Sequence, residues 1–160
     1  MHFEMIPAYD HPQEIRQLFQ EYTDLLADGD PTFREYLKIQ NYDKEIAHLE
    51  DKYGPPDGRL YLAVVDGAAA GCIALRRMDS CRCEMKRLYV RPQYQGHGIG
   101  RQLTEQILQD ARSIGYHWVY LDSFPFLDRA IAMYRHMGFR EIEKYNDSPM
   151  TSAVYMALEL

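Results

Sequence analysis

The segment RPQYQGHGIGRQLTE, residues 91–105, sets Gly96, Gly98 and Gly100 at alternate positions between two strongly patterned runs. Before it lies the apolar stretch Leu88-Tyr89-Val90; after it Ile99, Leu103, Ile107, Ala111 and Ile114 recur on one helical face, and Gly115 stands where a left-handed cap belongs. A strand therefore hands over to a helix at a junction stripped of side chains. The first four N–H groups of a helix have no intrahelical partner, and the helix dipole is positive there. Bare backbone at that place lets a ligand touch the amides, and a phosphate or pyrophosphate is the ligand it suits. The competing reading is a flexible connector. Two other phosphate loops fail on spacing: Gly100-Arg101-Gln102 is not the Gly-Lys-Ser/Thr of a Walker loop, and Arg101 stands where a dinucleotide fingerprint needs its third glycine.

The remaining pattern supplies the frame. A weak strand at 2–9 is followed by a helix from Asp10, with Ile15, Leu18, Phe19, Tyr22, Leu25 and Leu26 as its buried stripe. A second helical stretch, roughly Thr32 to Tyr53, ends at GPPDG. LYLAVV and AAAGCIALRRM flank Asp66-Gly67, the signature of a tight hairpin. CEMKRLYV at 83–90 and HWVYLDS at 117–123 read as strands, residues 127–137 as a helix, and FREIEKY and SAVYMALEL as two last strands. This order predicts an α/β fold, with a mixed, largely antiparallel sheet of about six or seven strands and about four flanking helices. Nothing divides residues 1–160, which are expected to form one domain.

Composition narrows the partners. A formal net charge of −6 with dispersed acids and bases argues against nucleic acid. No apolar run approaches the ~20 residues of a membrane span, so a membrane partner is not expected and a cytoplasmic location is. Cys72, Cys81 and Cys83 lack metal or redox spacing and read as reduced thiols, so no metal site is expected.

Gln95-Gly96-His97-Gly98-Ile99-Gly100 resembles the Gln/Arg-x-x-Gly-x-Gly/Ala signature of the GNAT superfamily of N-acetyltransferases. The segments CEMKRLYVRPQYQGHGIGRQL, LDSFPFLDRAIAMYRHMGF and YNDSPM followed by VYMALEL are similar, in order and spacing, to one bacterial branch of it. The resemblance covers roughly residues 58–160. It implies the GNAT fold and acetyl-CoA as cosubstrate. Gln95, Gly96, His97, Gly98, Ile99, Gly100 and Arg101 would hold the CoA pyrophosphate, and the open backbone of Leu88, Tyr89 and Val90 would pair with the pantetheine arm. It also implies transfer to a primary amine of a small molecule or protein by direct attack, and it leaves open a homodimer built through the final strands.

An alkyl ammonium with a pKa near ~10.4 must lose its proton before it attacks, at a cost of about 4 to 5 kcal/mol at pH 7. A carboxylate in the cleft addresses that cost. Glu84, on the strand that enters the glycine loop, is the expected base; the bland reading is an acid paired with Lys86 or Arg82. Tyr134, in A-x-x-x-Y-x-x-x-G-F, is expected by resemblance to donate to the departing CoA sulfur, acting mainly as a hydrogen-bond donor. Full proton transfer from a phenol to that thiolate is uphill by roughly 2 kcal/mol. Lys86 and Arg87 are candidates to recognise a substrate carboxylate, and Tyr36, Tyr42, Tyr53, Tyr145 and Asn146 to line the acceptor pocket. The competing function is a non-catalytic acyl-CoA sensor or partner-binding module; the presence of both Glu84 and Tyr134 argues against it.

Overall fold

The computed structural model describes all of residues 1–160. In chain order it contains β1 (Phe3–Pro7), α1 (Pro12–Gly29), α2 (Phe33–Ile39), α3 (Tyr42–Ala47), α4 (Leu49–Tyr53), β2 (Arg59–Val65), β3 (Ala68–Arg77), β4 (Arg82–Val90), α5 (Ile99–Ile114), β5 (Trp118–Ser123), α6 (Asp128–His136), β6 (Arg140–Ile142) and β7 (Val154–Glu159). The strands form one seven-stranded sheet in the order β1-β2-β3-β4-β5-β7-β6. Every neighbouring pair is antiparallel except β4 with β5.

Asp66 and Gly67 both take positive φ, 49° and 82°, and close the β2–β3 hairpin as the dipeptide predicts. In α5, the residues that step along one face are the ones buried: Ile99, Leu103, Ile107 and Ala111. Each large apolar side chain so placed contributes about 1.5–3 kcal/mol. They pack with Ile131, Tyr134 and Phe139, from α6 and just beyond it, on one face of the sheet. The opposite face carries α1–α4 over Leu60, Leu62, Cys72, Ala74 and Tyr89.

Two expectations change. The predicted helix over 32–53 is three short helices, broken where Asn41 adopts a left-handed conformation (φ 58°) and where His48 leaves the helical region. Asparagine tolerates that geometry better than most residues. The sheet is thus flanked by six helices rather than about four. On α1, Leu25 is 43% exposed although it lies on the predicted stripe, and Thr23 is buried instead.

One irregularity in β4 shapes everything that follows. The register with β3 shifts between Cys72 and Ala74, and opposite this break Arg87 has φ 61°. In a regular strand Lys86 and Arg87 would point to opposite faces. The extra residue of the bulge lets both serve the α1–α4 face: Lys86 pairs across from the buried Ala74, and the Arg87 guanidinium lies over the rings of Phe19 and Tyr42.

Candidate active site

Strands β4 and β5 pair only at Arg82 with Trp118, Cys83 with Val119 and Glu84 with Tyr120. Beyond Glu84 they part, while β4 stays bonded to β3 as far as Val90. From Met85 onward the edge of β4 that faces β5 has no strand partner. A cavity of about 460 Å³ occupies the opening, running from the glycine loop past Leu88–Val90 and Tyr134 to Tyr36, Gln40, Lys86 and Asp122.

The glycine end is built from main chain. Gly96 and Gly98 have φ of 84° and 77°, and a Cβ built on either would meet nothing within 4 Å. Gly98 caps the start of α5, whose first residues line the cavity. The side chain of Gln95 donates to the carbonyl of Val90 at 3.0 Å, which folds the loop back on the strand it leaves. These are the features a pyrophosphate needs: open amides, a positive helix end and room. Gln95, Gly96, Gly98, Ile99, Gly100 and Arg101 line the cavity, as do Leu88, Tyr89 and Val90. His97 does not; its side chain is exposed.

At mid-cavity Tyr134 is only 6% exposed, and burial raises its pKa. Its hydroxyl donates to no protein group and carries no hydrogen-bond contribution to that shift. A phenol that stays protonated and faces a cavity without a protein acceptor has its donor available. Tyr22, from α1, stands in the same condition on the cavity wall. Sequence reasoning placed Tyr22 on a core stripe and missed it. None of the three thiols lines the cavity: Cys72 and Cys83 are fully buried, with burial pushing the Cys83 thiol up to about 12, and exposed Cys81 lies outside the lining.

The end away from the glycine loop is built from buried charges, and Glu84, expected to face the cavity, lies behind its wall. Glu84 is 2% exposed and does not line the cavity. Arg76 Nε donates to its Oε1 at 2.6 Å and the Tyr145 hydroxyl donates to its Oε2, so both oxygens are taken. Burial alone would raise its pKa; the nearby Lys86 and Arg76 and the bonds from Tyr145 and Arg76 more than reverse that and hold it at about 2. The physical reason for the difference is the neighbouring strand: Arg76 on β3 sits directly across from Glu84 and closes the pair. Arg87 is likewise engaged, bidentate to Glu45 at 2.9 and 3.0 Å and bonded to Gln40 at 2.9 Å. Tyr42 and Tyr53 lie behind the wall in the core, where Tyr53 donates to Glu45 at 2.8 Å; neither lines the cavity. Of the predicted acceptor aromatics, Tyr36 alone reaches it.

The cavity instead presents Asp122, which sequence reasoning passed over as the end of an apolar strand. Tyr36 donates to its Oδ2 at 2.6 Å and Asn146 to the same oxygen at 3.1 Å, leaving Oδ1 without a protein donor. Asn146 also donates to the Tyr36 hydroxyl, at 2.9 Å, and accepts from Tyr155. Tyr145 and Asn146 thus do not line the cavity; they hydrogen-bond Glu84 and Asp122.

The chain matches the Acetyltransferase (GNAT) family over residues 13–139. It is 37% identical to an uncharacterised N-acetyltransferase of Schizosaccharomyces pombe, covering 97% of this chain and 94% of that protein. In fold it is similar to an acetyltransferase from Streptococcus agalactiae (TM-score 0.77, 22% identity, 99% and 98% of the two chains). The PaiA N-acetyltransferase of Thermoplasma acidophilum, solved in complex with coenzyme A, is similar at a TM-score of 0.75 and 18% identity over the whole of both chains. A parted β4–β5 pair, a bare-amide loop at its mouth and a match spanning most of the sequence together place this chain in the GNAT family, as an acetyl-CoA-dependent N-acetyltransferase.

Proposed function

We propose that Asp122, rather than Glu84, receives the proton of the acceptor amine, within the following arrangement. Main-chain amides of residues 95–101 hold the pyrophosphate of acetyl-CoA, and the free edge of Leu88–Val90 pairs with its pantetheine arm. The incoming ammonium hydrogen-bonds to Asp122 Oδ1 and loses a proton to it. The neutral nitrogen then forms its bond to the acetyl carbon as the carbon–sulfur bond breaks, and the nitrogen, now positively charged, releases its second proton to solvent to leave the neutral amide. Tyr134 donates a hydrogen bond to the departing sulfur, which takes its proton finally from solvent. Glu84, tied to Arg76 and Tyr145, is a positioning residue that fixes the charge beside Lys86.

One observation carries the choice of Asp122. Of the two carboxylates that line the cavity, Asp128 is exposed at the start of α6, whereas half-buried Asp122 is held by Tyr36 and Asn146 with its Oδ1 still unbonded; both oxygens of Glu84 are occupied out of the cavity's reach. General-base catalysis contributes about 10²- to 10⁴-fold. Asp122→Asn is therefore expected to lower kcat by ~10²-fold or more near neutral pH. The deficit should narrow as pH rises toward the amine's own pKa, because solvent then supplies the neutral nucleophile. Glu84→Gln should lower kcat by less than about tenfold. The opposite ranking, with Glu84→Gln the crippled enzyme and the one recovered by alkali, would return the base to Glu84.

A further inference from the structure

The ion pairs around the acceptor end leave two charges over. Glu45 is matched by Arg87 at 2.9 Å and by Lys52 at 2.7 Å. Glu84 is matched by Arg76 at 2.6 Å. Lys86 has only the far side of that pair: its Nζ lies 3.8 Å from Glu84 Oε1, the oxygen Arg76 already holds, and it donates no hydrogen bond. Its side chain is 6% exposed, and it lines the cavity. Asp122 enters none of these ion pairs and lines the same cavity.

A buried ammonium with three donors and no protein acceptor is costly to keep unless something satisfies it. Burial, with the neighbouring Arg87 guanidinium, lowers the Lys86 pKa, and the carboxylates of Glu84, Asp122 and Glu45 offset only part of that, so an anionic ligand beside it would favour its charged form. The β4 bulge is what brings it there, since it turns Lys86 and Arg87 to one face and gives Glu45 to Arg87 alone of the two. An unmatched cation and an unmatched carboxylate facing one cavity are complementary to a molecule that carries an ammonium and a carboxylate.

Resting on the reading of Asp122 as proton acceptor, we infer that the acceptor is a zwitterionic amine of the amino-acid type, its carboxylate held by Lys86 and its amine by Asp122. Neither charge would discriminate in this way if the acceptor were a plain amine or polyamine. For those, Lys86 repels and Asp122 alone attracts.

The test uses the full chain with acetyl-CoA and follows thiol release on matched pairs, each an amino acid and the amine made from it by removing the carboxyl group. The wild-type protein is expected to favour the carboxylate member by tenfold or more in kcat/KM, chiefly through KM, in the range a charge-assisted hydrogen bond supplies. Lys86→Met is expected to bring that ratio close to one, and Lys86→Arg to retain part of it. Equal use of both members by the wild type overturns the inference and leaves Asp122 standing as the base. So does a ratio that Lys86→Met does not move. No turnover of either member, with coenzyme A still bound in calorimetry, overturns both readings together. Should Lys86→Met fail to fold, the wild-type preference and calorimetric titration of the amino acids into the coenzyme A complex decide it: no heat from the carboxylate member rejects the inference.

Discussion

The two ends of the active-site cavity are made from different materials. At the glycine end the wall is main chain: amides near Gly96 and Gly98 face open space, and the helix behind them supplies the field. At the acceptor end the wall is side chain, backed by buried and matched charges, Glu45 with Arg87 and Glu84 with Arg76. A main-chain site depends on backbone angles and tolerates many sequences around it. A buried-charge site depends on every partner being present, because removing one strands the other in a low-dielectric surrounding. Cofactor recognition is thus separable from fold stability here, whereas acceptor recognition is bound up with it.

The largest effect that separates the two ends is expected from Glu45→Ala. It leaves the Arg87 guanidinium, 3% exposed, without its bidentate partner. Breaking a buried pair from one side costs about 3–5 kcal/mol. Urea denaturation should register that loss, while the affinity of the still-folded protein for coenzyme A stays within about threefold. A parallel collapse of coenzyme A binding would show that the two ends are one cooperative unit. Next in size is Tyr134→Phe, which sits between the ends. Loss of a donor aimed at the charge developing on sulfur is expected to lower kcat by ~10²-fold, with little change in melting temperature because its hydroxyl donates to no protein group. A twofold loss with normal stability would remove Tyr134 from the mechanism and leave it as core.

How much of this could be read beforehand follows the same division. The glycine loop, the α5 stripe and the Asp66-Gly67 turn are encoded within a few residues of one another, and spacing alone locates them. The break at Asn41 has no such local mark, because a single asparagine inside a helical pattern signals a left-handed residue only weakly. The acceptor end is assembled across long separations: Tyr36 reaches Asp122 over 86 positions and Arg87 reaches Glu45 over 42. Glu84 stands on the strand that enters the glycine loop, but Arg76, which engages it, lies on the next strand, and only the β3–β4 register brings them opposite. Arg87 is a candidate for a substrate carboxylate on sequence alone; the partner Glu45 comes to it through the bulge and α3. The bulge itself is a register fact; no residue type at 86 or 87 announces it.

The smallest expected effect bears on what the glycines are for. Gly98 combines two properties: a positive φ of 77° that side chains disfavour, and an absence of neighbours within 4 Å that leaves space beside the amides. Gly98→Ala tests both at once and is expected to cost about 1–2 kcal/mol, the strain of a left-handed residue with a Cβ. That strain falls on the free protein, on the complex, or on both. Gly98→Asn separates the two properties, because asparagine accepts the left-handed region but still fills the space. If backbone angle is the whole requirement, Gly98→Asn restores both melting temperature and coenzyme A affinity relative to Gly98→Ala. If the pyrophosphate must approach the bare amides, Gly98→Asn restores melting but leaves affinity roughly tenfold down, the equivalent of ~1.4 kcal/mol. The second outcome is expected, since the open space lies on the cavity wall, where a fold-only glycine would have no use for it.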